Sequence, residues 1–453
     1  MFVAILVLKD TSHMFSIIKS SWTLFFGLAL IMIGNGVQLV LLGVRSSDAG
    51  FSNLVSGFVM GGYFLGLFIG SMFVPHFLSR VGHVRVFGAL ASIASAAVLI
   101  HIIVIDPIVW GMTRVLSGFA YAGMYIVVES WLNDSATNKT RGQILSMYLI
   151  ITMGGMGIGQ LLAGFDDGQA ATLFLIASVA VSVAVVPILI TVGKAPDFAI
   201  TETISLRRLF TISPLAFVGM ALQGIVAAMM FGMGSVYGTR IGLSPPEVAL
   251  FMVSVTIGSV VVQYPVGRLS DIIDRRLVIL FVTFLSGVFA TAGMFVGASN
   301  IWLLFLIMGL FGGLSLTLYS LCIAYANDYL NPAQMVGTAS ALIMVNGAGS
   351  VIGSPLVAFA MDVIGDISYY GMIAFVHFGL GLFVLLRMTA RESVPNEAQG
   401  PFVAVPEAGT AVGLTLNPET QWVEDEAETA EEDPLADNPY LPENFGLTTQ
   451  KDS

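Results

Sequence analysis

The chain contains a single cysteine, Cys322, set in an apolar stretch, which excludes an internal disulfide framework and any cysteine-based metal site. Charge is just as scarce: Asp, Glu, Lys and Arg make up 10% of the 453 residues, where soluble globular domains carry about 25%. A soluble enzyme is thereby excluded. The motifs of catalysis are missing too. There is no HExxH, no GxSxG, no P-loop and no dinucleotide fingerprint, and SIIK (16–19) meets a serine–lysine pattern by chance. The expectation is a non-enzyme with no catalytic residue, cofactor, metal or nucleic-acid partner, whose work must draw on a gradient rather than on ATP.

What the chain has in quantity is apolar surface. Hydrophobic residues are 56% of it, glycine (49) and phenylalanine (31) are abundant, and the mean hydropathy is +0.88. That composition calls for repeated spans of roughly 20 apolar residues in a lipid bilayer. Apolar segments bounded by polar or Gly/Pro loops place twelve of them, at 22–44, 52–74, 85–105, 107–132, 142–165, 170–193, 214–238, 246–266, 277–297, 300–325, 336–361 and 368–387. Met14 opens an ordinary start, MFSIIKSSW, so residues 1–13 read as an upstream extension.

The net charge of −11 is unevenly spread: residues 391–453 hold 14 Asp/Glu against 2 Lys/Arg, which leaves the rest nearly neutral. Within the body, cations alternate. With a cytoplasmic N-terminus the inside loops hold Lys9, Lys19, Arg80, Arg85, Lys139, Arg141, Lys194, Arg207, Arg208, Arg268, Arg275, Arg276, Arg387 and Arg391, and the outside loops only Arg45 and Arg240. That bias fits an even number of spans with both termini inside. The longest internal hydrophilic stretch, 194–213, divides the body into halves at 22–193 and 214–390, preceded by residues 1–21. The halves echo one another in order. A short basic loop follows spans two (79–85) and eight (270–276), a Trp opens spans four (Trp110) and ten (Trp302), and ESWLND (129–134) and NDYLNP (327–332) close those spans. Such a duplication is the pattern of a 6+6 transporter.

GRLSDIIDRR (267–276) resembles the hallmark loop of the major facilitator superfamily, with Gly267, Asp271 and the basic pair Arg275 and Arg276 in place and Asp274 where a second glycine is common. Its first-half counterpart, PHFLSRVGHVR (75–85), keeps Arg80, Gly82 and Arg85 but has Pro75 and Ser79 at the Gly and Asp positions. The segment 127–162 resembles the bacterial YcaD-like branch, with Glu129–Ser130, Arg141–Gly142 and Gly159–Gln160. The resemblance covers about residues 20–390. It implies the twelve-helix major facilitator fold in two pseudo-symmetric halves, with those loops as a cytoplasmic latch and the first, fourth, seventh and tenth helices lining a central cavity. In span five, Gly155, Gly159 and Gly164 resemble the antiporter motif, with Gln160 in place of its usual proline, which favours export.

Candidate site residues follow from polar groups in apolar spans. Arg114 is the one basic residue well inside a span, a placement costing roughly 2.5–3.5 kcal/mol unless it faces a cavity or partner. Tyr121 and Tyr125 share its helix face by 3.6-residue spacing. RVLSG (114–118) resembles a recurrent family feature often tied to proton coupling. Asn35, Gln38, Gln160, Gln223, Tyr319 and Asn346 complete a neutral, hydrogen-bonding and aromatic substrate or proton pathway. At the cytoplasmic side Glu129, Arg141 and Arg80 are expected to form an ion cluster, a gate joined by Gly267, Asp271, Arg275 and Arg276. Asp271 is expected to cap a neighbouring helix and the basic pair to hold the loop at the membrane surface. His377 reads as a packing histidine. The tail from 391, with its run EDEAETAEED (424–433), reads as disordered cytoplasmic chain with Trp422, Tyr440 and Phe445 as anchors for a partner.

The expected function is secondary active transport of a small organic solute across a bacterial inner (plasma) membrane, proton-coupled, with export preferred. Uptake of a nutrient, or a receptor or scaffold that kept the fold and lost transport, are the alternatives.

Overall fold

The computed structural model describes residues 2–137, 140–165, 170–190, 204–390, 393–407 and 409–418. Among them, twelve helices are long and apolar enough to cross a membrane. They are α1 (Phe2–Asp48, with a helical break at Ser21), α2 (Asn53–Val81), α3 (His83–Ile103), α4 (Pro107–Asp134), α5 (Arg141–Ala163) and α6 (Ala170–Ile190). The second half follows as α7 (Pro214–Arg240), α8 (Pro245–Ser270), α9 (Arg275–Val296), α10 (Ile301–Asn327), α11 (Pro332–Ile364) and α12 (Ser368–Ala390). Each expected span is matched by one helix. Lys139 and Lys194, and the tail from 419, fall outside the described residues.

The tightest joins are held by local chemistry. Asp106 accepts from the Ile108 and Val109 amides and Pro107 opens α4, a proline position where no helical N–H is lost. Gly82, at φ +88°, makes the one-residue link from α2 to α3, a backbone region that side chains disfavour. Trp110 differs from the interfacial role its position suggests: it is 2% exposed, stacks edgewise on Phe51 and His101, and donates to the Val104 carbonyl. Trp302, 70% exposed, does face outward.

Small residues set the helix pairing. Gly66 of α2 and Gly118 of α4 each lie against the other helix's backbone, as do Gly36 of α1 and Gly159 of α5. The second half repeats both contacts at the corresponding helices, Gly258 of α8 with Gly313 of α10, and Gly224 of α7 with Gly349 of α11. Two duplicated pairs of backbone-to-backbone interfaces are the physical form of the sequence repeat.

Among the described residues the hydrogen bonds that join the halves directly gather at one end. At the end away from the basic loops, Asp362 of α11 accepts the Leu54 amide, Arg240 of α7 donates to the Phe51 carbonyl at 2.7 Å, and Ser235 donates to the Leu39 carbonyl. At the basic end the bridge is made by residues 394–417. Val394, Val405 and Leu414 are buried in the core of the second half and Leu416 in that of the first. A tail disordered from 391 onward is therefore not what the structure shows for its first part. The acidic run, Trp422, Tyr440 and Phe445 lie outside the described residues.

Candidate functional site

A cavity of about 170 Å³ lies between the halves, walled by residues from both. The first half contributes Asn35, Tyr63, Phe64, Phe68 and Tyr125, and the second Phe231, Thr256, Gln263, Thr317 and Asn346. Asn35 donates to the Tyr125 hydroxyl at 3.0 Å, and Asn346 donates to the Gln223 carbonyl oxygen at 2.8 Å. Both walls are thus neutral and hydrogen-bonded, with aromatic faces.

Of the residues expected from sequence, Asn35, Tyr125 and Asn346 reach the cavity surface. The others do not line it, and of these Gln160 and Gln223 hydrogen-bond residues that do. Gln38 donates to the Tyr121 hydroxyl at 2.9 Å, Gln160 accepts from Thr256, and Gln223 supports Asn346. Tyr319 is buried with no hydrogen-bond partner on its hydroxyl. Arg114 is 1% exposed and stacks its guanidinium over the Tyr63 ring, 4.4 Å from the centroid. Its Nε and Nη1 have no hydrogen-bond partner and no carboxylate pairs with it among the described residues. Tyr63 of α2 lines the cavity and Arg114 does not, so the ring is the contact between the guanidinium and the cavity wall. His377 donates to or accepts from Ser315 at 3.2 Å behind the wall, in line with a packing role.

The basic end differs from the expected ion cluster. Glu129 is fully buried and meets no arginine; it accepts from the Tyr148 hydroxyl at 2.5 Å, from the Thr410 amide and hydroxyl, and from the Gly413 amide at 3.0 Å. Neutral donors from the tail take the place of a cation there, because Arg141 turns to the Thr415 carbonyl at 3.1 Å and Arg80 is exposed. Asp271 caps no neighbouring helix: Asp274 caps α9, and Asp271 accepts the Phe402 amide at 2.7 Å. Arg275 is no surface anchor either. It is 1% exposed, pairs with the buried Asp328 at 2.5 Å, and donates to the carbonyls of Ala324 and Gly400. Arg276 pairs with Asp274 at 2.8 Å, and Gly267 lies against the Phe402 ring.

Sequence reasoning missed the residues that the tail brings into the cavity. Val405, Pro406, Glu407, Gly409 and Thr410 form its wall at the basic end. Glu407 accepts from the Gln223 amide at 3.1 Å while its other carboxylate oxygen has no partner. Burial pushes its pKa up to about 7, with the Gln223 hydrogen bond opposing. Glu407 is the one acid between residues 398 and 418, an otherwise mostly apolar stretch, but it lies in a tail read as uniformly acidic and disordered, which hid that signal.

The Major Facilitator Superfamily model matches residues 24–256 and again 215–424. The MFS-type transporter YcaD of Salmonella arizonae is 27% identical over 379 residues, covering 82% of this chain and 96% of the relative. The YcaD of Salmonella paratyphi A is 26% identical over 386 residues, covering 84% and 99%. Among solved structures the nucleoside transporter NupG has a TM-score of 0.66 at 13% identity, covering 81% of this chain and 98% of that one. A bacterial homologue of the human lysosomal transporter Spinster, described as inward-facing and unoccupied, has a TM-score of 0.60 at 14% identity, covering 88% and 97%.

Proposed function

This chain belongs to the major facilitator superfamily, in its YcaD-like branch, and we propose on that premise that it carries a small neutral organic solute with aromatic and hydrogen-bonding groups across a bacterial inner membrane. That it is a multi-pass membrane protein and a secondary transporter follows from the family and the twelve helices. Transport proceeds by alternating access, the two halves rocking about the cavity, with the basic end at the cytoplasm as the positive-inside bias requires. The observation that carries the reading is the cavity itself, walled by Asn35, Tyr63, Tyr125 and Asn346 with the Arg114 guanidinium behind Tyr63.

Proton coupling is supported by two groups of the first half that lie outside the cavity wall. Arg114 lacks a carboxylate partner and Glu129 is buried at the end of α4 on the Tyr148 hydroxyl, so the first half holds a cation and an acid that need not neutralise each other. Export is favoured by the small-residue ridge of α5, which resembles the antiporter motif without its proline.

The test is reconstitution in liposomes with an imposed pH gradient, following efflux of a panel of fluorescent neutral aromatic amphipaths. At least one is expected to move faster with the gradient than without, and Arg114→Ala is expected to lower that rate ten-fold or more. Equal rates with and without the gradient would remove proton coupling. Unchanged flux in the Arg114→Ala chain would remove the site.

A further inference from the structure

We propose that residues 400–417 are a tethered ligand of the central cavity, an autoinhibitory strap that fills the solute path from the basic end and must leave before a solute can enter. The inference goes beyond the transport reading, since it concerns what this chain does to its own site.

Four observations carry it. The strap touches both halves at once: Thr410 and Gly413 donate to Glu129 and Thr415 accepts from Arg141 on the first half, while Phe402 donates to Asp271 and Gly400 accepts from Arg275 on the second. Val405 exchanges hydrogen bonds with the Ser320 hydroxyl at 3.0 and 3.2 Å, which brings the segment's backbone against α10. It reaches the solute region, because Val405, Pro406, Glu407, Gly409 and Thr410 share a wall with Asn35, Tyr125 and Asn346. The space left beside it, about 170 Å³, is below the roughly 300–1,000 Å³ of ordinary small-molecule pockets, so strap and solute compete for one volume.

The binding has the character of a built interface. Five of the contacts to body side chains are backbone amides, on Gly400, Phe402, Val405, Thr410 and Gly413, a pattern that reads a peptide by its main chain. Gly413 admits no side chain, since a Cβ there would stand 2.8 Å from the Glu129 carboxyl carbon. The ten residues from Ala390 to Gly400 reach at most about 36 Å when extended, so the strap comes from its own chain at the high effective concentration of a short tether.

While docked, the strap also blocks closure of the basic end. The halves there are joined through it, and rocking them together requires the volume it occupies. It is thus a wedge as well as a plug.

The experiment uses the full chain in lipid nanodiscs with Ser71→Cys in the cavity wall, the buried Cys322 giving the background rate. Labelling by a hydrophilic maleimide is followed together with hydrogen exchange of residues 400–417. The native chain is expected to label slowly and to protect the amides of Phe402, Val405, Thr410 and Gly413. Gly413→Val removes the room beside Glu129, and Thr410→Pro removes an amide that donates to it. Each is expected to raise labelling at least ten-fold and to abolish the protection, with the thermal midpoint of the helical body kept within a few degrees. Equal labelling rates in all three chains overturn the strap, and so does fast exchange of the native segment. Neither readout needs a transported solute, so its failure leaves the transport reading standing, and the failure of transport leaves the strap standing.

Discussion

Glu407 ties the occupancy of the cavity to pH. Its carboxyl titrates near 7 in the docked segment, above the roughly 4.3 of a free glutamate, so docking favours the protonated form. A raised carboxyl pKa stabilises the docked state fully below the free value and loses that contribution as pH rises through about 7. The neighbours that face it are the Gln223 amide on α7 and, within electrostatic reach, the Tyr319 hydroxyl on α10, which also feels Glu129 of α4. No cation pairs with Glu407 among the described residues. Exchange of residues 400–417 is therefore expected to be several-fold slower at pH 6 than at pH 8, and Glu407→Gln is expected to hold the slow rate at both. A native chain with pH-independent exchange, after correction for intrinsic amide chemistry, would contradict this. Arg114 is the complementary case. Its position inside an apolar span was readable because a lone arginine there demands a reason, but the reason, a tyrosine face from α2, depends on a helix packing that spacing within α4 could not reveal.

At the scale of helices the glycine interfaces decide stability. A side chain at Gly118 would meet the Tyr63 carbonyl, so Gly118→Val is expected to lower stability by about 1–3 kcal/mol or more and to displace Tyr63 from Arg114. Gly154 on α5 has open space around its Cβ position, and Gly154→Ala is expected to be neutral or to stabilise by up to about 1 kcal/mol. Thermal unfolding of the two variants side by side checks both. Arg275 offers a third test. It and Asp328 are buried together, and Arg275→Gln removes the guanidinium that stands 2.5 Å from that carboxylate, at an expected cost of about 3–5 kcal/mol in the same assay.

These elements also show what was legible. Spans were, because hydropathy over about 20 residues is set by the bilayer rather than by neighbours. The duplicated loops and glycine ridges were legible as repeats. Arg275 was not, since a count of basic residues in loops does not tell whether the side chain turns to water or to Asp328. The strap was least legible of all. Its hold rests on backbone amides and on single residues such as Val405, Thr410 and Gly413, which carry no period, and the acidic run that follows it from 419 gives the tail as a whole the composition of solvated chain.

At the scale of the molecule the two ends are unequal. Direct contacts such as Arg240 to Phe51 and Asp362 to Leu54 close one end, and the other is bridged, among the described residues, by the segment that follows Val394. An alternating-access protein held by such a wedge should rest in one state and gain the other when the wedge is removed. The most direct measurement is a pair of spin-label distances in the full chain, Arg80→Cys with Ile272→Cys across the basic end and Ala49→Cys with Ile367→Cys across the other, each with and without Gly413→Val. All four positions are exposed or lie in exposed turns. The account predicts one distance at each end in the native chain. With Gly413→Val a shorter component appears between 80 and 272 and a longer one between 49 and 367. Distances that stay single, or that lengthen together at both ends, would contradict it.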